Sequence, residues 1–148
     1  MNLRSGAGFT MLELMVVLVL MALVYAIAVP MISSVLPGTE LKSAARQLAA
    51  GLRQARSQAI TRKEQATLTL DVKNHHFEVS GNQRSYMLHD KLKISLYTAQ
   101  SELLQDKVGA IRFYPDGSST GGRISVSLGE RKYLVDVDWL TGQVKILD

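Results

Sequence analysis

The chain has 148 residues, 47% of them hydrophobic and 20% charged, with no cysteine and a formal net charge of +4. That length suits one domain with at most one appended segment, and that apolar content excludes a disordered chain. The absence of cysteine excludes disulfide frameworks, thiolate zinc sites and thiol nucleophiles, and leaves the compartment open.

The basic balance invites a nucleic-acid partner, but its distribution speaks against one. Residues 1–63 hold seven Lys/Arg against Glu13 and Glu40, a net +5. Residues 64–148 hold ten against eleven acidic residues, a net −1. The C-terminal part therefore offers no basic field to a polyanion.

The first element is an apolar segment from Phe9 to Val29, in which only Thr10 and Glu13 are conspicuously polar. As a helix it spans roughly 32 Å, close to the thickness of a bilayer's hydrocarbon core. Glu13 is out of place there. An acidic side chain costs on the order of 3 kcal/mol at the bilayer centre and less near the interface. It either marks the membrane boundary or has a positive partner. The rival reading is an ordinary secretory signal peptide, with Arg4 in a basic leader and Ala26-Ile27-Ala28 as a small-x-small cleavage site. The long apolar run, beginning directly after an acidic residue, speaks against it. Flanking charge, Arg4 on one side and Lys42, Arg46 and Glu40 on the other, nearly cancels as a guide to orientation.

Gly8-Phe9-Thr10-Met11-Leu12-Glu13, after the short basic stretch MNLRSGAG and before the apolar run, resembles the processing motif of type IV pilins and type II secretion pseudopilins. The resemblance implies that residues 1–8 are a leader. Prepilin peptidase would cut between Gly8 and Phe9 on the cytoplasmic side, and the new amine of Phe9 would be N-methylated. It also implies an assembly role for Glu13. Phe9 and Glu13 stand four apart, on one face of a helix, and the first turn favours an anion. The Phe9 amine, of the same or a neighbouring subunit, is the expected partner of the Glu13 carboxylate.

Pro30 follows the apolar segment, and Pro37-Gly38 comes soon after. Proline removes a helix hydrogen bond and clashes with the preceding turn, and the family resemblance implies a kink at Pro30. From Thr39 to about Arg62, Leu41, Ala45, Leu48, Leu52, Ala55 and Ala59 form a narrow apolar stripe at helical spacing. Thr39 is the expected N-cap, with Glu40 in the first turn. The alanines of the stripe let a sheet approach closely. Lys42, Arg46, Arg53, Arg56, Arg62 and Lys63 carry the basic excess. They read either as a solvated face or as contacts to acidic neighbours or lipid headgroups.

Beyond Lys63 the period falls to two. Ala66, Leu68, Leu70 and Val72 alternate with polar residues. Short runs of the same kind follow at 77–79, 86–88, 92–96, 111–113, 124–128, 133–139 and 144–146. Turn residues at Gly81-Asn82, Asp116-Gly117, Gly121-Gly122, Gly129-Glu130 and Thr141-Gly142 separate many of them and make antiparallel pairing the natural arrangement. Thr98–Val108 has no period and reads as a loop with room for one helical turn. Trp139 is expected in the core at its strand's end. The run Ile111–Gly122, with Phe113, Pro115, Gly117, Gly121 and Gly122, is similar to the F-x-P-x-G-x-x-x-G-G signature of the general secretion pathway protein H family. Asp136–Val144 is similar to that family's closing strand–turn–strand.

No catalytic set is legible. His75 and His76 fall in a turn and His89 after a short strand, and no H-E-x-x-H occurs. Gly117–Gly122 lacks the G-K-[ST] and the helix of a phosphate cradle. Asp136 and Asp138 share a strand face where calcium competes with plain solvent exposure. No metal, cofactor or enzymatic activity is expected.

The chain thus reads as α+β, a long N-terminal helix packed on an antiparallel β domain of one or two sheets. The expected segments are a leader (1–8), a transmembrane and filament-core helix (9–29), a kinked linker with an amphipathic helix (30–63) and a periplasmic β domain (64–148). The resemblance implies a minor pseudopilin of a type II secretion system, single-pass in the bacterial inner membrane with its N-terminus cytoplasmic. Implied partners are the major and other minor pseudopilins, the peptidase-methylase, the inner-membrane secretion platform and the lipid bilayer. The alternative is a type IV pilus minor pilin of the fimbrial T type, some of which engage DNA. The near-neutral β domain disfavours nucleic acid.

Overall fold

A computed structural model describes residues 9–26, 38–104 and 107–148; residues 27–37 and Gln105 enter only as parts of their helix and strand. The chain divides into two compact units, one ending at Leu36 and one running Pro37–Asp148. Helix α1, Met11–Arg62, begins in the first and ends in the second. The kink expected at Pro30 lies outside the described residues. Thr39 sits inside this helix and does not begin it. The expected cap is therefore corrected: the burial that holds this half of α1 begins at Leu41, and packing overrides a local stop signal.

Among the described residues of the second unit, nine strands form two antiparallel sheets. The first has the order β3-β2-β1-β6-β5, from Ser85–Met87, His76–Val79, Ala66–Asp71, Val108–Phe113 and Leu103–Gln105. The second has the order β4-β7-β8-β9, from Lys93–Thr98, Gly122–Leu128, Arg131–Val137 and Val144–Leu147. The central pairing of the first sheet sets Leu68 opposite both Val79 and Ile111. That of the second sets Ile124 opposite both Leu96 and Val135. Alternation puts Ala66, Leu68 and Leu70 of β1 and Phe77 and Val79 of β2 on the core face.

One core joins helix and sheets. Leu41, Ala44, Ala45, Leu48, Ala49, Leu52, Ala55 and Ala59 of α1 are buried against Leu68, Phe77, Ile111, Phe113, Ile124, Val126 and Val135. The stripe is wider than its alanine and leucine spacing suggests, because Gly51 belongs to it. A Cβ there would lie 2.8 Å from Phe77 Cε2 and 3.0 Å from Leu68 Cδ1, so the sheet approaches the helix backbone itself. Phe77 in turn stacks on Tyr86 with ring centroids 5.0 Å apart.

The segment expected as a loop, Thr98–Val108, contains more structure. Residues Gln100–Glu102 form a 3₁₀ turn and Leu103–Gln105 form the edge strand β5. A strand of three residues with a register shift against β6 is too short to show a period.

Candidate functional site

Two regions carry the candidate residues. The first is the start of α1. Thr10 Oγ1 accepts a hydrogen bond from the Glu13 amide at 3.2 Å, and the Thr10 carbonyl accepts from the Leu14 amide at 3.1 Å. Thr10 is thus the N-cap, and Glu13 occupies the third helical position, the spacing of a capping box. The T-x-x-E spacing of Thr10 and Glu13 is the sequence signal for this cap. Phe9 precedes the helix and is 82% exposed. Glu13 forms no ion pair within the described residues. Gly8 lies outside them.

Beyond the cap, Met11, Leu12, Leu14, Met15 and the large apolar residues up to Tyr25 are all exposed. A continuous apolar surface of this kind requires an apolar covering. Among the described residues no helix is long and apolar enough to cross a membrane. The described part of the expected span stops at Ala26, short of Val29.

The second region gathers the turns of the β domain. The Gly117 amide donates to the Tyr114 carbonyl at 2.9 Å, which places Pro115 and Asp116 at the centre of a β-turn. Asp116 Oδ1 accepts from the Ser118 amide at 2.9 Å and its hydroxyl at 2.6 Å. These bonds, the hydroxyl's foremost, hold the Asp116 carboxyl below its ordinary pKa. Gly117, Gly121 and Gly122 all adopt positive φ. At Gly122 a Cβ would lie 2.8 Å from the Tyr97 carbonyl oxygen, so β4 closes on bare backbone there. Buried Ser119 bonds the Gly121 amide through its hydroxyl at 2.7 Å.

These turns meet the β8–β9 turn. The Ser119 amide donates to the Trp139 carbonyl at 2.8 Å. Asp138 Oδ1 accepts from the amides of Leu140 and Thr141 and from the Thr141 hydroxyl, at 3.0, 2.7 and 2.9 Å. The Thr141 amide leads in lowering the Asp138 pKa. Trp139, expected in the core, is 65% exposed. The reason is where the strand stops. Strand β8 ends at Val137, so inward–outward alternation does not reach residue 139. Asp138, expected on a strand face with Asp136, also lies beyond that strand. Asp136 instead pairs with Arg123 at 2.8 Å. No group of three or more His, Asp or Glu suited to a metal occurs among the described residues.

The helix cations are partly engaged. Arg56 Nε donates to the Gly117 carbonyl and Arg53 Nη2 to the Val144 carbonyl, each at 3.2 Å. Of the histidines, His75 Nε2 lies 2.8 Å from the Leu92 carbonyl, and His89 Nε2 lies 3.7 Å from Glu40 Oε2. One pair escaped the sequence reading. Glu102 is buried, and its two oxygens accept from Arg112 Nε and Nη2 at 3.0 and 3.2 Å. Arg112 Nη1 also donates to Gln65 Oε1 at 3.0 Å. The Glu102 bond raises the Arg112 pKa. Nothing in the aperiodic stretch around Glu102 signals its inward course.

Comparison with known proteins follows the same two regions. The profile of the family described as type II transport protein GspH matches residues 44–141. The prokaryotic N-terminal methylation motif matches residues 3–29. The type II secretion system protein H of Xanthomonas campestris pv. campestris is 33% identical over 142 residues, covering 96% of this chain and 83% of that protein. Among solved structures, the minor pseudopilin EpsH of the Vibrio cholerae type 2 secretion system superposes with a TM-score of 0.58 at 13% identity, over 73% of this chain and 96% of that one. The type IV minor pilin FimU of Pseudomonas aeruginosa gives 0.57 at 14%, over 73% and 93%. At those identities the two structures speak to fold alone.

Proposed function

The chain belongs to the type II transport protein GspH family, and from that premise we propose that it is a minor pseudopilin, a structural subunit of the type II secretion pseudopilus that serves export of folded proteins across the outer membrane. One observation carries the reading: a methylation motif and a GspH domain lie in order on one chain. Prepilin peptidase cuts between Gly8 and Phe9 and the Phe9 amine is methylated. The exposed apolar face of α1 is then covered by the inner-membrane bilayer before assembly and by helices of the major and other minor pseudopilins within the filament. The N-terminus is cytoplasmic and the β domain periplasmic, where it meets neighbouring subunits above the inner-membrane platform.

Glu13 sits where both the helix dipole and the new Phe9 amine, its own or a neighbour's, stabilise a carboxylate. Its pairing to a neighbour's amine would set the stagger between subunits. Pro30 allows the helix to bend between membrane and β domain. Pro115, Gly117, Gly121 and Gly122 serve architecture: they fold the turns that tie β6 and β7 to the helix and to the β8–β9 turn. In those turns Asp116 and Asp138 each hold backbone amides and a hydroxyl through Oδ1, a structural use of the carboxylate.

FimU has nearly the same fold score as EpsH, so fold does not separate secretion from pilus. The 33% identical relative favours secretion. Deleting the gene separates the two: exoprotein release is expected to fall with DNA uptake unchanged. Lost uptake with intact secretion would establish the pilus role instead.

A further inference from the structure

Trp139 is the chain's only tryptophan, and it stands 65% exposed beside Leu140 at 63%. The backbone beneath them is firmly held. Asp138 caps the turn through three hydrogen bonds, the Gly142 amide closes on the Asp138 carbonyl at 2.9 Å, and the Asp138 amide donates to the Gln143 carbonyl at 3.0 Å. The Trp139 carbonyl is tied to Ser119 from the other side. A Cβ on Gly121 would come within 3.0 Å of Trp139 Cβ, so the tryptophan is buttressed from behind. A rigid mount for two water-exposed apolar side chains gains nothing within the chain itself.

The same turn walls a groove against α1. Its volume is about 390 Å³, and Arg53, Arg56, Ile60, Gly142 and Val144 line it. Each arginine donates one hydrogen bond to a backbone carbonyl, and neither has a carboxylate at ion-pair distance among the described residues. A guanidinium has five N–H donors, so both retain donors for an outside acceptor.

We propose that this turn and groove are the docking surface for a different subunit of the same filament, one that offers an apolar recess to Trp139 and Leu140 and carboxylates to Arg53 and Arg56. The proposal rests on the filament-subunit reading above. Charge complementarity sets the partner's chemistry. A second copy meeting this face with its own would set arginine against arginine. The apolar pair suits a protein recess, whereas hydrated phosphates of lipid or nucleic acid offer it nothing. Tryptophan and arginine are the residues that most often dominate interfaces, and a preformed turn loses little entropy on binding.

The test titrates the full chain, in detergent, against each of the other pseudopilins of the same secretion system. One of them is expected to bind, and Trp139→Ala and Arg53→Glu are each expected to weaken it about tenfold or more while both variants still unfold cooperatively as folded proteins. Leu140→Ser reads the same contact should Trp139→Ala disturb folding. Reversing the charge of the facing carboxylate on the partner is expected to restore binding to Arg53→Glu. Full affinity of these variants for the pseudopilin that the parent chain binds overturns the docking surface and leaves the filament reading standing. A parent chain that binds none of them overturns both. Self-association lost in Trp139→Ala, or arginine-dependent binding to phosphatidylglycerol vesicles, also overturns it, in favour of a second copy or the membrane.

Discussion

At the residue scale, the most consequential pair is Glu102 and Arg112. The Glu102 side chain is 7% exposed and that of Arg112 33%, so removing the arginine strands a buried carboxylate beneath a partly open lid. Breaking a fully buried pair costs about 3–5 kcal/mol, and partial solvent access reduces that. Arg112→Met is expected to lower unfolding free energy by about 2 kcal/mol in a denaturant titration, and Glu102→Gln, which still accepts from Arg112, by less. The turn carboxylates give a pH dependence. Asp71, held down chiefly by the Asn74 amide, Asp116 and Asp138 all have lowered pKa values when folded. The stability they contribute is complete above the ordinary aspartate value of about 3.9 and is lost as pH falls below it towards the lowered values. Denaturation midpoints are expected to hold steady above about pH 5 and fall on the acid side, with a shallower fall in Asp116→Asn and Asp138→Asn. The sequence marked Asp116 and Asp138 as turn and strand residues but did not disclose their hydrogen bonds. It misplaced Trp139 because alternation was carried past Val137, where strand pairing stops.

At the element scale, the contact of α1 with the first sheet decides the fold. Gly51 disfavours the helix by about 1 kcal/mol relative to alanine. Yet a methyl there would press on Phe77, which is buried and stacked on Tyr86 and cannot swing aside. Overpacking costs about 1–3 kcal/mol, so the clash wins. Gly51→Ala is expected to destabilise by about 1 kcal/mol, read from thermal unfolding; an increase in stability would mean that Phe77 can shift. The helix stripe and most strands were legible, because Leu41, Leu48 and Leu52 recur at helical spacing and Ala66, Leu68 and Leu70 at period two. Strand β5 was not legible. Its three residues fall below any periodic signal, and its placement depends on pairing with β6 and on Glu102 reaching Arg112.

At the scale of the whole molecule, the large apolar residues of α1 up to Tyr25 are exposed among the described residues, while the sheets share a core with the part of α1 from Leu41 onward. Local pattern showed that strands were present but not how nine of them divide between two sheets, since pairing partners lie far apart in sequence. The excess positive charge is divided among Arg4, the C-terminal half of α1 and Lys63 just past its end. Two of the helix arginines brace the C-terminal turns. A processed, membrane-held filament subunit, as proposed for this chain, has a defined mature N-terminus, which intact mass with N-terminal analysis of the protein from the membrane fraction reads. A mature chain beginning at N-methylated Phe9 is the expected result; a chain beginning at Val29, as a secretory signal peptide would leave it, would contradict it.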